Sequence, residues 1–182
     1  MAQPASIGAD AVIQPSRHLV RCTVNGTDRE LTIPAHMRLI DLLRDELGLT
    51  GTKEGCSVGV CGVCSVLVDG MLLSACLMPA AFVDGARVTT IEGLAPDEQH
   101  LSALQDAFIR QGGFQCGICT PGQIIAASAL LAECPRPSVD ETRAWMMGNL
   151  CRCTGYYGIV ESIQAAAASD GATVAREKVG VS

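Results

Sequence analysis

The 182-residue chain is poor in aromatic residues (3%) and in charge (18% Asp, Glu, Lys and Arg), and its formal charge is −6. It has no Lys/Arg stripe. That argues against a nucleic-acid groove, because neutralising phosphates takes clustered cations. No apolar run approaches the ~18–20 residues of a membrane helix. Residues 1–18 contain no basic start followed by an apolar core, and no Arg-Arg pair occurs anywhere. Neither a secretory nor a twin-arginine signal is therefore expected, and the chain reads as cytoplasmic. Disorder is excluded by 48% hydrophobic residues. A chain of this length buries a sizeable core, as one large domain or two small ones. Cysteine is what the sequence has in abundance, with ten. Cytoplasmic proteins rarely keep disulfides, so these thiols point to metal binding or redox work.

The cysteines fall into groups. Cys56, Cys61, Cys64 and Cys76 form one, and Cys116, Cys119, Cys151 and Cys153 another, with Cys22 and Cys134 left over. Two sets of four is the arithmetic of two metal centres. Around the first group the pattern is α+β. Leu19–Val24 and Arg29–Ile33 flank Asn25-Gly26, and Ser65–Val68 and Met71–Leu73 flank Asp69-Gly70. Both read as hairpins. Leu39, Ile40, Leu42, Leu43 and Leu47 have helical spacing, Gly48 is a helix stop, and Arg87–Ile91 reads as a last strand. The expectation is a small mixed sheet wrapped around one helix.

From about residue 93 the pattern is helical only, with a boundary near Gly93 to Asp97. Leu101, Leu104, Phe108 and Ile109 are expected on one face of a first helix, and Ile124 to Leu131 in a second. Ser138 and Glu141 form a capping box for a third helix through Met147. Ile159, Ile163 and the alanines from Ala165 make a fourth, giving a bundle. Residues 1–18 and 169–182 read as a flexible extension and tail.

Cys56-x4-Cys61-x2-Cys64 has the spacing of a plant-type 2Fe–2S ferredoxin loop, with Cys76 arriving from the hairpin as the fourth ligand. Gly55, Gly59 and Gly62 let the chain curl so that backbone N–H groups face sulfur. Zinc knuckles prefer paired Cys units and fit this loop less well. In the second group, Cys119 and Cys153 are each followed by Thr, read as a helix N-cap, and Pro121 is placed at a first helical position. The two segments read as a near-repeat, contributing one pair of ligands each. A structural zinc held by four cysteines stays open for this group. Cys22 is expected in the core and Cys134 as an incidental thiol. His18, His36 and His100 are read as surface residues, the methionines and Trp145 as core, and Lys53-Glu54 as a solvated pair.

Three segments together resemble a known family. They are Gly51-Thr-Lys-Glu-Gly-Cys56 through Cys64, Gln115-Cys-Gly-Ile-Cys-Thr-Pro-Gly122 and Gly148-Asn-Leu-Cys-Arg-Cys-Thr-Gly-Tyr156. They are similar to the small iron–sulfur subunits of molybdenum hydroxylases, the xanthine oxidase and aldehyde oxidoreductase family. The resemblance covers about residues 19–168. It implies a β-grasp 2Fe–2S ferredoxin domain (19–93) followed by a four-helix 2Fe–2S domain (94–168). The ligands would be Cys56, Cys61, Cys64 and Cys76 for the first cluster and Cys116, Cys119, Cys151 and Cys153 for the second. It also implies a role as the electron-transfer subunit of a heteromeric oxidoreductase. A large partner subunit would carry the molybdenum–pterin cofactor, and a medium FAD subunit or a haem protein would accept electrons. Gln115 and Cys153 would approach the pterin, and no residue for substrate chemistry is expected on this chain. The alternatives are an independent soluble ferredoxin and a zinc-stapled interaction module.

Overall fold

A computed structural model describes residues 16–97 and 99–169. Most of the expected N-terminal extension, and the tail beyond Ser169, lie outside the described residues.

β1 (Arg17–Val24) and β2 (Thr27–Pro34) pair antiparallel, from Arg17 opposite Pro34 to Val24 opposite Thr27. β1 thus takes in Arg17 and His18, which the sequence assigned to the extension. Asn25 and Gly26 join the strands with φ of 50° and 77°. That left-handed pair matches the twist of a two-residue hairpin. β3 (Ser65–Val68) and β4 (Met71–Ser74) repeat the arrangement around Asp69 and Gly70, at 48° and 81°. β5 (Arg87–Thr89) lies parallel to β1 and antiparallel to β3, giving a mixed sheet in the order β2-β1-β5-β3-β4. The parallel β1–β5 pair requires a long crossover, and the chain places α1 and the first cysteine loop within it.

α1 (Leu39–Asp41) runs on into a π-turn, Leu42–Glu46, closed by the Leu47 N–H donating to the Leu42 carbonyl at 3.0 Å. Leu39, Ile40, Leu42 and Leu43 are fully buried against Val20, Ile33, Val66 and Val88. Gly48 ends the segment at φ +69°. The expected strand to Ile91 stops at Thr89, and Ile91–Gly93 is a 3-10 turn.

The second half holds α2 (Ala103–Arg110), α3 (Thr120–Glu133), α4 (Val139–Met146) and α5 (Tyr157–Ala168). α3 is the central member, buried from Gly122 to Ala132, as a helix apolar all round must be. Strand alternation ties the two cores together: Val66 and Val68 of β3 face the α1 core, whereas Leu67 joins the helical one. The capping box on α4 forms as read, with the Glu141 N–H donating to Ser138 Oγ at 3.2 Å and the Ser138 N–H to Glu141 Oε2 at 2.7 Å. A second box, Ser102 with Gln105, starts α2 and went unread in the sequence.

That start corrects the first helix. Leu101 precedes it and Ile109 turns outward, so both are exposed, and Leu104, Ala107 and Phe108 carry the buried face. The methionines are likewise not all core. Met146 is buried, but Met71 and Met147 are exposed. Trp145 is half-buried and donates through Nε1 to the Ala126 carbonyl at 2.9 Å. Cys22 is in the sheet core as expected. Among the described residues no helix is long and apolar enough to cross a membrane.

Candidate metal centres

The first cysteine loop is held from below by Arg38. Its guanidinium donates to Asp41 at the start of the helix and to Glu54 Oε1 at 2.6 Å, and Ser57 Oγ donates to the same Glu54 oxygen at 2.7 Å. Glu54 therefore pairs with Arg38, not with Lys53, which donates to the Thr50 carbonyl. Ser57, Gly59 and Gly62 have φ of 58°, 72° and 66°, which curls the chain around the cysteines. A Cβ on Gly55 would sit 3.0 Å from Cys61 Sγ, and one on Gly59 would run into Leu77. This is a cradle with no room for side chains.

The curl aims backbone N–H groups at Cys56. The Val60 N–H lies 3.4 Å from its sulfur, and the N–H groups of Val58 and Cys61 also face it. They stabilise the thiolate and bring the Cys56 thiol down to about 6. Cys64 and Cys76 lie on the inner side, both buried. The Ala75 N–H donates to the Cys64 carbonyl at 3.2 Å, which sets Cys76 beside Cys64. Burial, and then the neighbouring Cys76 thiol, push Cys64 up to about 11. The loop thus holds an outer pair, Cys56 with Cys61, and an inner pair, Cys64 with Cys76.

The helical site is also built from pairs, but each pair takes one cysteine from each segment. Cys153 Sγ is 3.6 Å from Cys116 Sγ, and Cys119 meets Cys151. Each segment supplies two of the four cysteines, as the near-repeat implies, and the contacts run between the segments. Cys116 and Cys153 are exposed. Burial pushes Cys119 up to about 12. Burial also raises Cys151, but hydrogen bonds to its sulfur, led by the Thr154 hydroxyl at 3.2 Å, outweigh that and leave it lowered.

The two threonines do not cap helices. Cys119 occupies the N-cap of α3, Thr120 is already helical with a buried hydroxyl lacking a partner, and Pro121 is the second helical residue. α5 starts later, at Tyr157, after Tyr156 in the left-handed region at φ 71°. That geometry lets the Tyr156 hydroxyl accept the Cys151 N–H at 2.9 Å. Gln115 is exposed beside Cys116 and makes no hydrogen bond among the described residues. It does not fill a gap between helices.

For two thiolates on one tetrahedral metal, bonds of about 2.3 Å give a sulfur–sulfur separation of about 3.8 Å. The Cys116–Cys153 distance fits that. Among the described residues no three His, Cys, Asp or Glu side chains converge on one point. The thiols meet in twos, as a two-iron cluster with two thiolates per iron requires. His18, His36 and His100 are exposed, and His100 bonds Asp97 at 2.8 Å. Cys134 ends α3, half-buried against the helical core.

Sequence reasoning missed four residues of the site. They are Arg38, Tyr156, Gln123 and Asn149, the last two buried between the cysteine segments. A signal existed only for Asn149 and Tyr156, which lie inside the quoted motifs.

Known proteins resemble the chain over both cysteine-bearing regions. Residues 22–95 match the 2Fe-2S iron-sulfur cluster binding domain family and residues 90–164 the [2Fe-2S] binding domain family. A probable xanthine dehydrogenase subunit of Bacillus subtilis is 52% identical over 142 residues, which is 78% of this chain and 81% of that protein. The nicotinate dehydrogenase small FeS subunit of Eubacterium barkeri is 44% identical over 145 residues, 80% of this chain and 92% of that one. In quinoline 2-oxidoreductase from Pseudomonas putida 86, a chain at 45% identity superposes with a TM-score of 0.82, covering 88% of this chain and 97% of its own length. Aldehyde oxidoreductase from Desulfovibrio gigas superposes at 0.80 with 41% identity, and there the match spans only 18% of a longer chain. The chain belongs to the small iron–sulfur subunits, with two 2Fe–2S centres, of the xanthine dehydrogenase and aldehyde oxidoreductase family of molybdenum hydroxylases.

Proposed function

We propose that Cys56, Cys61, Cys64 and Cys76 hold one 2Fe–2S cluster and Cys116, Cys119, Cys151 and Cys153 the other, in domains spanning 19–93 and 94–168. The observation that carries this is the pairing of the thiols, Cys116 with Cys153 above all. When bound, the clusters accept and release single electrons, and the chain relays them from a molybdenum–pterin site on a large subunit to a FAD subunit or a haem protein.

The chain's own residues do the holding. Backbone N–H groups stabilise the Cys56 thiolate, the Thr154 hydroxyl stabilises that of Cys151, and burial shields Cys64 and Cys76 from water, with Cys119 partly buried. The rim of the helical site supports a docking role. Gln115, Cys116 and Cys153 are exposed there, next to exposed Phe114 and Ile118. On this reading Gln115 and Cys153 face the pterin of the large subunit. A groove of about 820 Å³ between α4 and α5, lined by Met147, Tyr156, Tyr157 and Val160, adds apolar surface on the same domain. The substrate is chosen on the large subunit, and the complex works in the cytoplasm.

Metal and sulfide analysis of the purified chain tests the ligand reading. About four irons and four acid-labile sulfides per chain are expected, with visible absorption bleached by dithionite. One zinc per four cysteines without visible absorption would overturn it, and iron–sulfur content without a co-purifying large subunit would favour an independent ferredoxin.

A further inference from the structure

Asn149 is buried, at 4% exposure, where three cysteine-bearing segments meet. Its Nδ2 lies 2.9 Å from the Gly62 carbonyl, 3.3 Å from the Gly122 carbonyl and 3.4 Å from Ser65 Oγ. Gly62 sits between Cys61 and Cys64, Gly122 follows Cys119 by three residues, and Asn149 precedes Cys151 by two. One amide therefore touches the loops of both centres. The backbone carbonyl of Asn149 accepts from Gln123 Nε2 at 2.7 Å, which fixes the backbone at this point. The next residue makes the direct link, with the Leu150 N–H donating to the Cys61 carbonyl at 2.9 Å.

The seam has no slack. A Cβ on Gly62 would meet the Gly148 carbonyl at 2.5 Å and the Asn149 side chain, and one on Gly122 would press on the Gly62 and Val63 carbonyls. Close-packed contacts of this kind transmit displacement instead of absorbing it. The amide is also chemically specific. The Gly62 and Gly122 carbonyls can only accept, and the Ser65 hydroxyl donates to Gly62, so the group at position 149 must donate.

We propose that Asn149 is the positioning residue that sets the spacing of the two cluster loops. It keeps the Cys61 carbonyl on the Leu150 N–H and thereby holds the two ligand sets at a fixed separation. This rests on the two-cluster reading of the cysteines. An aspartate here would set a carboxylate, which only accepts, against two carbonyls, so Asn149→Asp should be worse than Asn149→Ala. Gln123→Met would remove the bond to Asn149 and also the Gln123 Oε1, a buried acceptor without a partner. It should leave the fold intact while loosening the joint.

The test uses the assembled enzyme, reduced with dithionite and examined by electron paramagnetic resonance, with hydrogen exchange at the Leu150 amide as a second readout. In the parent, magnetic interaction between the two reduced clusters should split the signals, and the Leu150 amide should exchange slowly. All three variants should retain full iron, because no ligand is altered, yet lose or smear the splitting and exchange Leu150 several-fold faster, with Asp beyond Ala. A residue of merely structural weight would lower the melting temperature and leave the splitting unchanged. If the Asn149 variants fail to fold, Gln123→Met alone decides. Full iron with parental splitting and parental Leu150 exchange overturns the inference, as does a two-cluster parent with no splitting at all. A parent lacking four irons would instead overturn the two-cluster reading itself.

Discussion

Cys153 reaches back across 37 residues to bring its sulfur within 3.6 Å of Cys116. The helical centre is thus clasped by pairs drawn from two distant segments, and neither segment forms half a site alone. Loss of Cys116 and loss of Cys153 therefore open the same pair.

Cys116→Ser and Cys153→Ser should therefore behave alike. Each should damage or destroy the helical cluster while the loop of Cys56, Cys61 and Cys64 keeps its own, leaving about two irons per chain. Iron analysis and resonance spectra check this. If the two variants lost different clusters, the cross-segment pairing would be wrong.

Gln115 offers a contrast. It is exposed and makes no hydrogen bond within the described chain, so Gln115→Ala should leave the melting temperature and both clusters of the subunit unchanged. If it bonds the pterin, its loss should remove on the order of 1 kcal/mol at the subunit junction, which is about fivefold in affinity. Titration of the large subunit measures the affinity, and rapid reduction by substrate follows transfer from molybdenum. Unchanged values for both would remove Gln115 from the junction.

The parts of this protein legible in its sequence were those set by local chemistry. Asn25-Gly26 and Asp69-Gly70 require left-handed φ, Ser138 and Glu141 cap reciprocally, and cysteine spacing marks the loop of the first centre. What escaped reading depends on contacts distant in sequence. A Thr after a cysteine looks like a cap, but Thr154 turns its hydroxyl to Cys151 and α5 begins only after Tyr156. The π-turn after Asp41 shifts the helical period, which 3.6-residue spacing does not anticipate. The pairing of Cys119 with Cys151 arises only when the start of α3 meets the segment before α5, and the place of Asn149 between both loops only when the two halves dock. The ferredoxin-type loop was recognisable from three cysteines, and Cys76 was read as arriving from the hairpin, which β3 and β4 form.

The docking seam makes a steric prediction. Ala in place of a helical Gly usually gains up to about 1 kcal/mol. At Gly122, however, a Cβ would approach the Val63 carbonyl at 2.8 Å and the Gly62 carbonyl more closely still. Both are backbone atoms of the other domain and cannot rotate away. Gly122→Ala should therefore destabilise by about 1–3 kcal/mol, the range of overpacked sites. Gly148→Ala is the control, because its Cβ would meet nothing within 4 Å. Thermal melts of the two variants, side by side, read the difference, and equal melting temperatures would contradict the packing described here.

The last prediction concerns acid. Arg38 binds Asp41 through Nε at 2.8 Å and a terminal guanidinium nitrogen at 2.6 Å, and these bonds, with the charge behind them, hold the Asp41 carboxyl below its ordinary value of 3.8. A carboxylate with a lowered native pKa stabilises the fold fully above its unfolded pKa and loses that contribution as pH falls through the native one. The pair is about one-third exposed, so solvent screening limits it to about 1 kcal/mol or less. Asp41→Asn should therefore be less stable than the parent by that amount from neutral pH down to about pH 5. The gap should close as pH drops below the ordinary carboxylate range, where the parent's Asp41 is protonated too. Denaturant midpoints of both proteins from pH 7 to pH 3 measure it, and acid loss of the clusters, common to both, cancels in the difference. A gap that widened on acidification would mean that Asp41 is held neutral in the fold and that Arg38 is not its partner.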